Sequence, residues 1–245
     1  MTSPERLRSA AEGFVREFVG ALDAAGERDP ALRPFADGLR GIPTSGPARV
    51  PKSAGPYPAL SHLPSLAAGS GRDAFTAAGF EAADVLTWLP VVEGEGIDHV
   101  LASGMYAAQA VGTYGCFDSG DVAAGLFLIT PGVRYPLHTH LAAEVYWCLG
   151  GSITLRHGID GAPFKLGPGE YSVTPPNRAH ALTTSDEPVL LAYLWVGDLS
   201  APIWWWDEPE PGQWRRTEWR RSPGKSWEPV RAEAVTPEIM AEAHG

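Results

Sequence analysis

From about Val100 onward, Gly, Pro and Asp cut the chain into short apolar runs at intervals of about ten residues. The runs read "VAAGLFLIT", "AEVYWCLG", "SITLRHG", "EYSVTPP", "HALTTS" and "PVLLAYLWVG". Many short strands separated by turn residues close into a sandwich or barrel. This pattern predicts a mostly β fold with a barrel over residues 99–205. Ahead of it the texture is helical. Leu7, Ala11, Phe14, Phe18 and Leu22 recur at three- and four-residue spacing, one face of a 3.6-residue period. Ser3 or Thr2 can cap that helix, and Pro4 sits in a first turn that needs no N–H donor. Further helices are expected over 30–39 and over 72–89, although Gly79 has poor helix propensity. Between them "GIPTSGPARVPKSAGPYP" is rich in Pro, Gly and Ser and reads as loop. The expected division is a helical N-terminal segment over 1–98, the barrel over 99–205, and a Trp-rich tail over 206–245 with no clear period.

The formal net charge of −10 argues against nucleic acid and anionic membrane as partners, but not against a small cationic substrate. Two cysteines, Cys116 and Cys148, make neither a disulfide framework nor a Cys-rich zinc site. The N-terminal stretch lacks the apolar core of a signal peptide. No run approaches the ~20 apolar residues of a membrane span. A cytoplasmic protein is expected. A barrel with aromatic-rich flanks makes a homodimer the expected assembly.

Chemistry concentrates in "YPLHTHLAAEVYWCLGG", residues 135–151. His138, His140 and Glu144 offer imidazole nitrogen and carboxylate oxygen, a donor set that suits Fe(II), Zn, Mn, Ni or Co. On an extended strand His138 and His140 face one side. Glu144 and Tyr146 keep the same parity, unless the chain turns at "LAA". A fourth ligand is expected from a neighbouring strand, where His180 is the candidate. His62, His99, His157 and His244 have no such company and read as structural or solvated.

The segment resembles the first motif of the cupin superfamily, with Gly132, His138, His140, Glu144 and Gly151 on its positions. Gly169, Pro175 and His180 match the second motif, while Asn177 stands where the family has glycine and Thr184 where it has asparagine. The resemblance implies a cupin jelly-roll barrel with His138, His140, Glu144 and His180 on one metal ion. A narrower likeness follows from Tyr135, the His pair, Glu144, Tyr146 and the later His180. These resemble the cupin-type dimethylsulfoniopropionate lyases of marine bacteria, which also carry a helical segment before a single barrel. That family implies β-elimination of a small zwitterionic substrate to dimethyl sulfide and acrylate.

The chemistry has a use for the tyrosines. A tyrosine titrates near ~10 and is a poor base at neutral pH unless a nearby cation favours its phenolate. By β propensity alone Tyr146 is an ordinary strand aromatic. The resemblance makes it the expected base, with Tyr135 a second candidate or a substrate-orienting hydroxyl. A sulfonium lacks N–H donors and is held by aromatic faces. Tyr193 and Trp195 share a parity in "LLAYLWVG" and are candidates for that contact. Trp147 has opposite parity to Tyr146 and is expected to face outward. Trp204, Trp205 and Trp206 are expected to close a barrel mouth or to pack the N-terminal helices. Arg134 and Lys165 are positive groups that the sequence cannot place. A cupin dioxygenase, a cupin isomerase or an enzyme acting on another small substrate would share the ligand set. The tyrosine pair favours the lyase. A cupin that only binds a sugar or effector has no need of a complete ligand set.

Overall fold

The computed structural model describes residues 3–45, 48–51, 56–221 and 227–244. Thr2, part of the 41–58 loop and part of the tail lie outside them. In order, the elements are α1 (Pro4–Gly26), α2 (Arg33–Arg40), α3 (Leu63–Ala68), α4 (Ala74–Ala83), β1 (Trp88–Pro90) and α5 (His99–Gly104). Then come β2 (Met105–Val111), β3 (Val122–Ile129), β4 (Arg134–Thr139), β5 (Ala143–Gly151), β6 (Ile153–His157), β7 (Phe164–Leu166) and β8 (Tyr171–Thr174). The chain ends with β9 (His180–Thr183), β10 (Val189–Val196), β11 (Ile203–Glu210), β12 (Gln213–Arg221), β13 (Trp227–Ala234) and α6 (Pro237–His244). No helix among the described residues is long and apolar enough to cross a membrane.

The strands form two antiparallel sheets, ordered β1-β2-β3-β10-β5-β8 and β13-β12-β11-β4-β9-β6-β7. This is the jelly roll that the sequence predicts. The first sheet is covered on both faces, which explains why β3 is buried at every position. Leu126 and Leu128 join the helices in one core, while Phe127 and Ile129 join the core between the sheets. The predicted face of α1 is the one that packs there. Leu7, Phe14, Phe18 and Leu22 are buried, and Phe18 stacks on Phe75 of α4 at 4.6 Å. Ser3 caps α1 by accepting from the Arg6 backbone N–H at 3.1 Å. Trp147 does face outward, edge-on to Phe75 at 5.7 Å.

Three local expectations change. The helix expected over 72–89 ends at Ala83, and Trp88–Pro90 instead pairs antiparallel with β2 as an edge strand. The Val-Leu-Thr-Trp run that precedes the pairing is rich in β-formers, and a free sheet edge decides in their favour. Residues 99–104 are helix, so the barrel's strands begin at Trp88 rather than at 99. The tail forms three more strands and a helix, and the 205/206 division falls within β11.

Gly79 has a packing reason. A Cβ there would meet Leu149 Cδ1 at 2.5 Å, where α4 lies on β5. Ala at 79 gains about 1 kcal/mol of helix propensity but overpacks a fully buried leucine at about 1–3 kcal/mol. Gly79→Ala is expected to lower the melting temperature by about 2–4 °C in a thermal scan.

Candidate metal centre

His138 lies in β4, His140 just past its end, His180 opens β9, and Glu144 is the second residue of β5. β4 and β9 are paired with His138 opposite His180, which brings the two imidazoles together across the ladder. The chain bends at Leu141 and Ala142, then enters β5 in the other sheet. Strand parity therefore does not carry Glu144 to the histidines. The crossing between sheets does. All four side chains are buried, at 4% exposure or less.

The two departures from the cupin motifs are explained locally. Asn177 has φ +64°, a left-handed conformation that Asn tolerates better than most residues, and its N–H donates to the His140 carbonyl at 2.9 Å. Thr184 Oγ1 accepts from the Val133 N–H at 2.9 Å and donates to the Thr130 carbonyl at 2.7 Å, tying down the turn before β4.

Each imidazole is held in one tautomer. Nδ1 of His138 lies 2.8 Å from the Pro136 carbonyl, Nδ1 of His140 2.8 Å from that of Ala142, and Nδ1 of His180 3.0 Å from that of Arg178. A carbonyl only accepts, so Nδ1 carries the proton and Nε2 keeps its lone pair. The candidate ligand nitrogens lie within 4.8 Å of one another. Glu144 Oε2 is 3.1 Å from His180 Nε2 and 3.6 Å from His140 Nε2. These three atoms are buried, yet none has a hydrogen-bond partner. Unprotonated acceptors that close repel each other unless a cation lies between them. The residues thus fit a metal ion.

Charge states agree with that fit. Burial pushes the His138 pKa well below its ordinary value and keeps it neutral, the form that ligates metal. Burial alone would raise Glu144; positive charge at His140 and His180 lowers it and holds the carboxyl ionised, and with both Nε2 atoms unprotonated a metal ion would have to supply that charge. Trp195 supports two of the four groups. Its indole N–H donates to Glu144 Oε1, and its ring stacks on His140 at 4.2 Å. Trp195→Phe keeps a ring over His140 but removes the donor. It is expected to weaken metal affinity by about 10–100-fold in a competition titration with a coloured chelator.

His138 and Glu144 open onto a cavity of about 540 Å³ between the sheets, which Tyr135, Tyr146, Tyr193 and Trp195 also line. Tyr135 stacks on His138 at 4.1 Å. Tyr146 is two residues beyond Glu144 on the inward face of β5. Burial first, then the Glu144 charge, raises its pKa well above the ordinary value. Tyr193 sits opposite Tyr146 across the β5–β10 ladder, and burial raises it too. Arg134 and Lys165 are exposed and outside the cavity lining.

His157 is structural, one of the two readings the sequence left for it. It pairs with His180 across β6–β9, and its Nε2 lies 3.1 Å from Ser172 Oγ and 3.3 Å from Thr174 Oγ1. Burial lowers its pKa to about 4, so it braces the ligand strand as a neutral group. Its equivalence in parity to Leu155, inside a run ending at Gly158, was the available signal.

Comparisons with known proteins place the chain in a family. The family model for dimethylsulfoniopropionate lyase matches residues 45–191. Dimethylsulfoniopropionate lyase DddQ of Ruegeria pomeroyi is 32% identical over 200 residues, 80% of this chain and 96% of that protein. The crystal structure of DddQ from Ruegeria pomeroyi DSS-3 superposes with a TM-score of 0.61 at 26% identity, covering 80% of this chain and 95% of that one. A structure described with the lyases RdDddP and RnDddQII shares the fold at 23% identity, with a TM-score of 0.60 over 80% of this chain and 97% of the other. The chain belongs to the dimethylsulfoniopropionate lyase family.

Proposed function

We propose that the protein is a metal-dependent carbon–sulfur lyase. It cleaves dimethylsulfoniopropionate to dimethyl sulfide and acrylate by β-elimination, with Tyr146 as general base. The observation that carries this is the junction of a buried three-His, one-Glu donor set with a tyrosine-lined cavity. A divalent transition ion held by His138, His140, His180 and Glu144 would take the substrate carboxylate, stabilise the charge that develops beside it, and offset the Glu144 charge felt by Tyr146. Fe(II), Zn, Mn, Ni and Co all suit this nitrogen and oxygen set.

The chain's own residues do the rest. Tyr146, as its phenolate, accepts the proton from the carbon next to the carboxylate. The electron pair left behind forms the carbon–carbon double bond, the C–S bond breaks, and sulfur leaves with its pair as a neutral sulfide. Tyr135, fixed by its stacking on His138, orients the carboxylate end. Tyr193 and Trp195 offer aromatic edges and faces to the sulfonium, with the Trp195 indole N–H already engaged by Glu144. The cavity walls exclude water from the carbanion-like transition state. The deciding assay is headspace dimethyl sulfide from protein loaded in turn with each of the five metals. Formation with at least one supports the reading, and silence with all five sinks it.

A further inference from the structure

Among the described residues, the cavity mouth carries one cation with an open charge. On β12, residues 217, 219 and 221 share the face that looks inward, because Trp219 packs on Trp205 at 4.7 Å and lines the cavity. Residues 216, 218 and 220 alternate to the opposite face, where an ion network uses them, and Arg220 also borders the cavity. Glu218 accepts from Arg220 and from Arg231 at 2.7 Å, and Arg216 pairs with Glu233 at 2.6 Å. Arg221 stands on the other face. It is half-buried, lines the cavity, and places its guanidinium 5.6 Å from the centre of the Tyr114 ring. The described residues include every Asp and Glu of the chain, and none of them forms an ion pair with Arg221. Tyr114 is itself held, since its N–H donates at 3.0 Å to the side-chain oxygen of Gln109, another cavity residue.

We propose that Arg221, steadied on the ring of Tyr114, selects carboxylate-bearing molecules at the cavity mouth. This rests on the lyase reading only in taking the substrate to carry a carboxylate. In a chain of net charge −10, anions are repelled at long range, and one uncommitted guanidinium at the mouth creates a local exception. It discriminates a zwitterion with a carboxylate from a simple onium cation, which the aromatic walls alone would admit. A guanidinium facing water on one side and an aromatic ring on the other keeps its donors free for a carboxylate. Arg221 acts on admission and leaves the chemical step to residues deeper in the cavity.

The test uses metal-loaded protein and two probes, propionate and trimethylsulfonium, titrated by quenching of tryptophan fluorescence at low and at moderate salt. Trp219 and Trp227 line the cavity and report on its contents. Arg221→Gln is expected to weaken propionate about tenfold at low salt and to flatten its salt dependence, with trimethylsulfonium unchanged or bound slightly tighter. Arg221→Lys keeps most of the propionate binding. Lys165→Gln, exposed and outside the cavity lining, behaves as the wild type and controls for a general loss of charge. With dimethylsulfoniopropionate, Arg221→Gln is expected to raise KM about five- to tenfold with kcat within about twofold. Unchanged propionate binding in Arg221→Gln, or a fall in kcat at constant KM, overturns the proposal. Should the wild type release no dimethyl sulfide while the propionate results hold, the lyase reading fails and the role of Arg221 stands. If dimethyl sulfide is released but propionate binding is insensitive to Arg221→Gln, the lyase reading stands and the role of Arg221 falls.

Discussion

Tyr146→Phe is expected to bind its metal as the wild type does and to lose about 10²- to 10⁴-fold in kcat for dimethyl sulfide release. The substitution removes one oxygen atom and nothing else. The ring remains beside Phe127, whose centroid lies 6.0 Å away, so the packing between the sheets persists. Glu144 keeps its Trp195 donor and loses only the interaction with the Tyr146 hydroxyl. The three histidine tautomers are fixed by backbone carbonyls and are indifferent to residue 146. Metal content and melting temperature should therefore stay near wild type while turnover disappears. Tyr135→Phe should behave differently. Its stacking on His138 survives, so the loss is expected mainly in KM, as for a residue that orients substrate. Near-normal kcat in Tyr146→Phe, with collapse in Tyr135→Phe, would move the base to Tyr135.

Legibility in the sequence followed the physical origin of each feature. Alternation and turn punctuation revealed the barrel, since strands between two cores must be apolar and short. The α1 stripe was readable for the same reason, because Leu7, Phe14, Phe18 and Leu22 meet a continuous apolar surface. The motif placed His138, His140, Glu144 and His180, and pairing of β4 with β9 gives the physical cause. Parity misled at Glu144, since a bend at Leu141–Ala142 transfers the chain to the other sheet. β11 to β13 were invisible because cross-strand Arg–Glu pairs and Trp204, lying under Arg216 at 4.1 Å, stabilise them instead of a period-two apolar pattern. β1 was hidden for a different reason, as only a partner strand distant in sequence turns that run away from helix. Trp195 shows the limit of reasoning by residue type. An aromatic beside a cationic substrate suggests a cation contact, but its N–H on Glu144 gives it a prior duty to the ligand set.

The ligand set also predicts an opposition between stability and function, and Glu144→Gln exposes it. In the wild type Glu144 Oε1 accepts from Trp195, while Oε2 faces His180 Nε2 at 3.1 Å, lone pair to lone pair. A buried acceptor pair of this kind destabilises the metal-free fold. Metal reverses the sign. At a concentration about 1,000 times Kd, binding adds about 4 kcal/mol, a rise in melting temperature of about 8–16 °C for a chain of this size. Glutamine is isosteric with glutamate, keeps an oxygen for Trp195, and puts an amide donor where Oε2 stood. That donor can bond His180 Nε2, a gain of about 1 kcal/mol, so metal-free Glu144→Gln is expected to melt about 2–4 °C above metal-free wild type. The same variant loses an anionic ligand, and its metal affinity is expected to fall by about 100-fold or more, with dimethyl sulfide release lost in parallel. His180→Ala should lose metal as well but without the gain, because it leaves a gap where a fully buried ring stood. Melting curves of both variants and the wild type, each with excess chelator and with excess metal, separate the cases. A metal-free Glu144→Gln less stable than wild type, still stabilised by metal to the full extent, would falsify the assignment of Glu144 as a ligand.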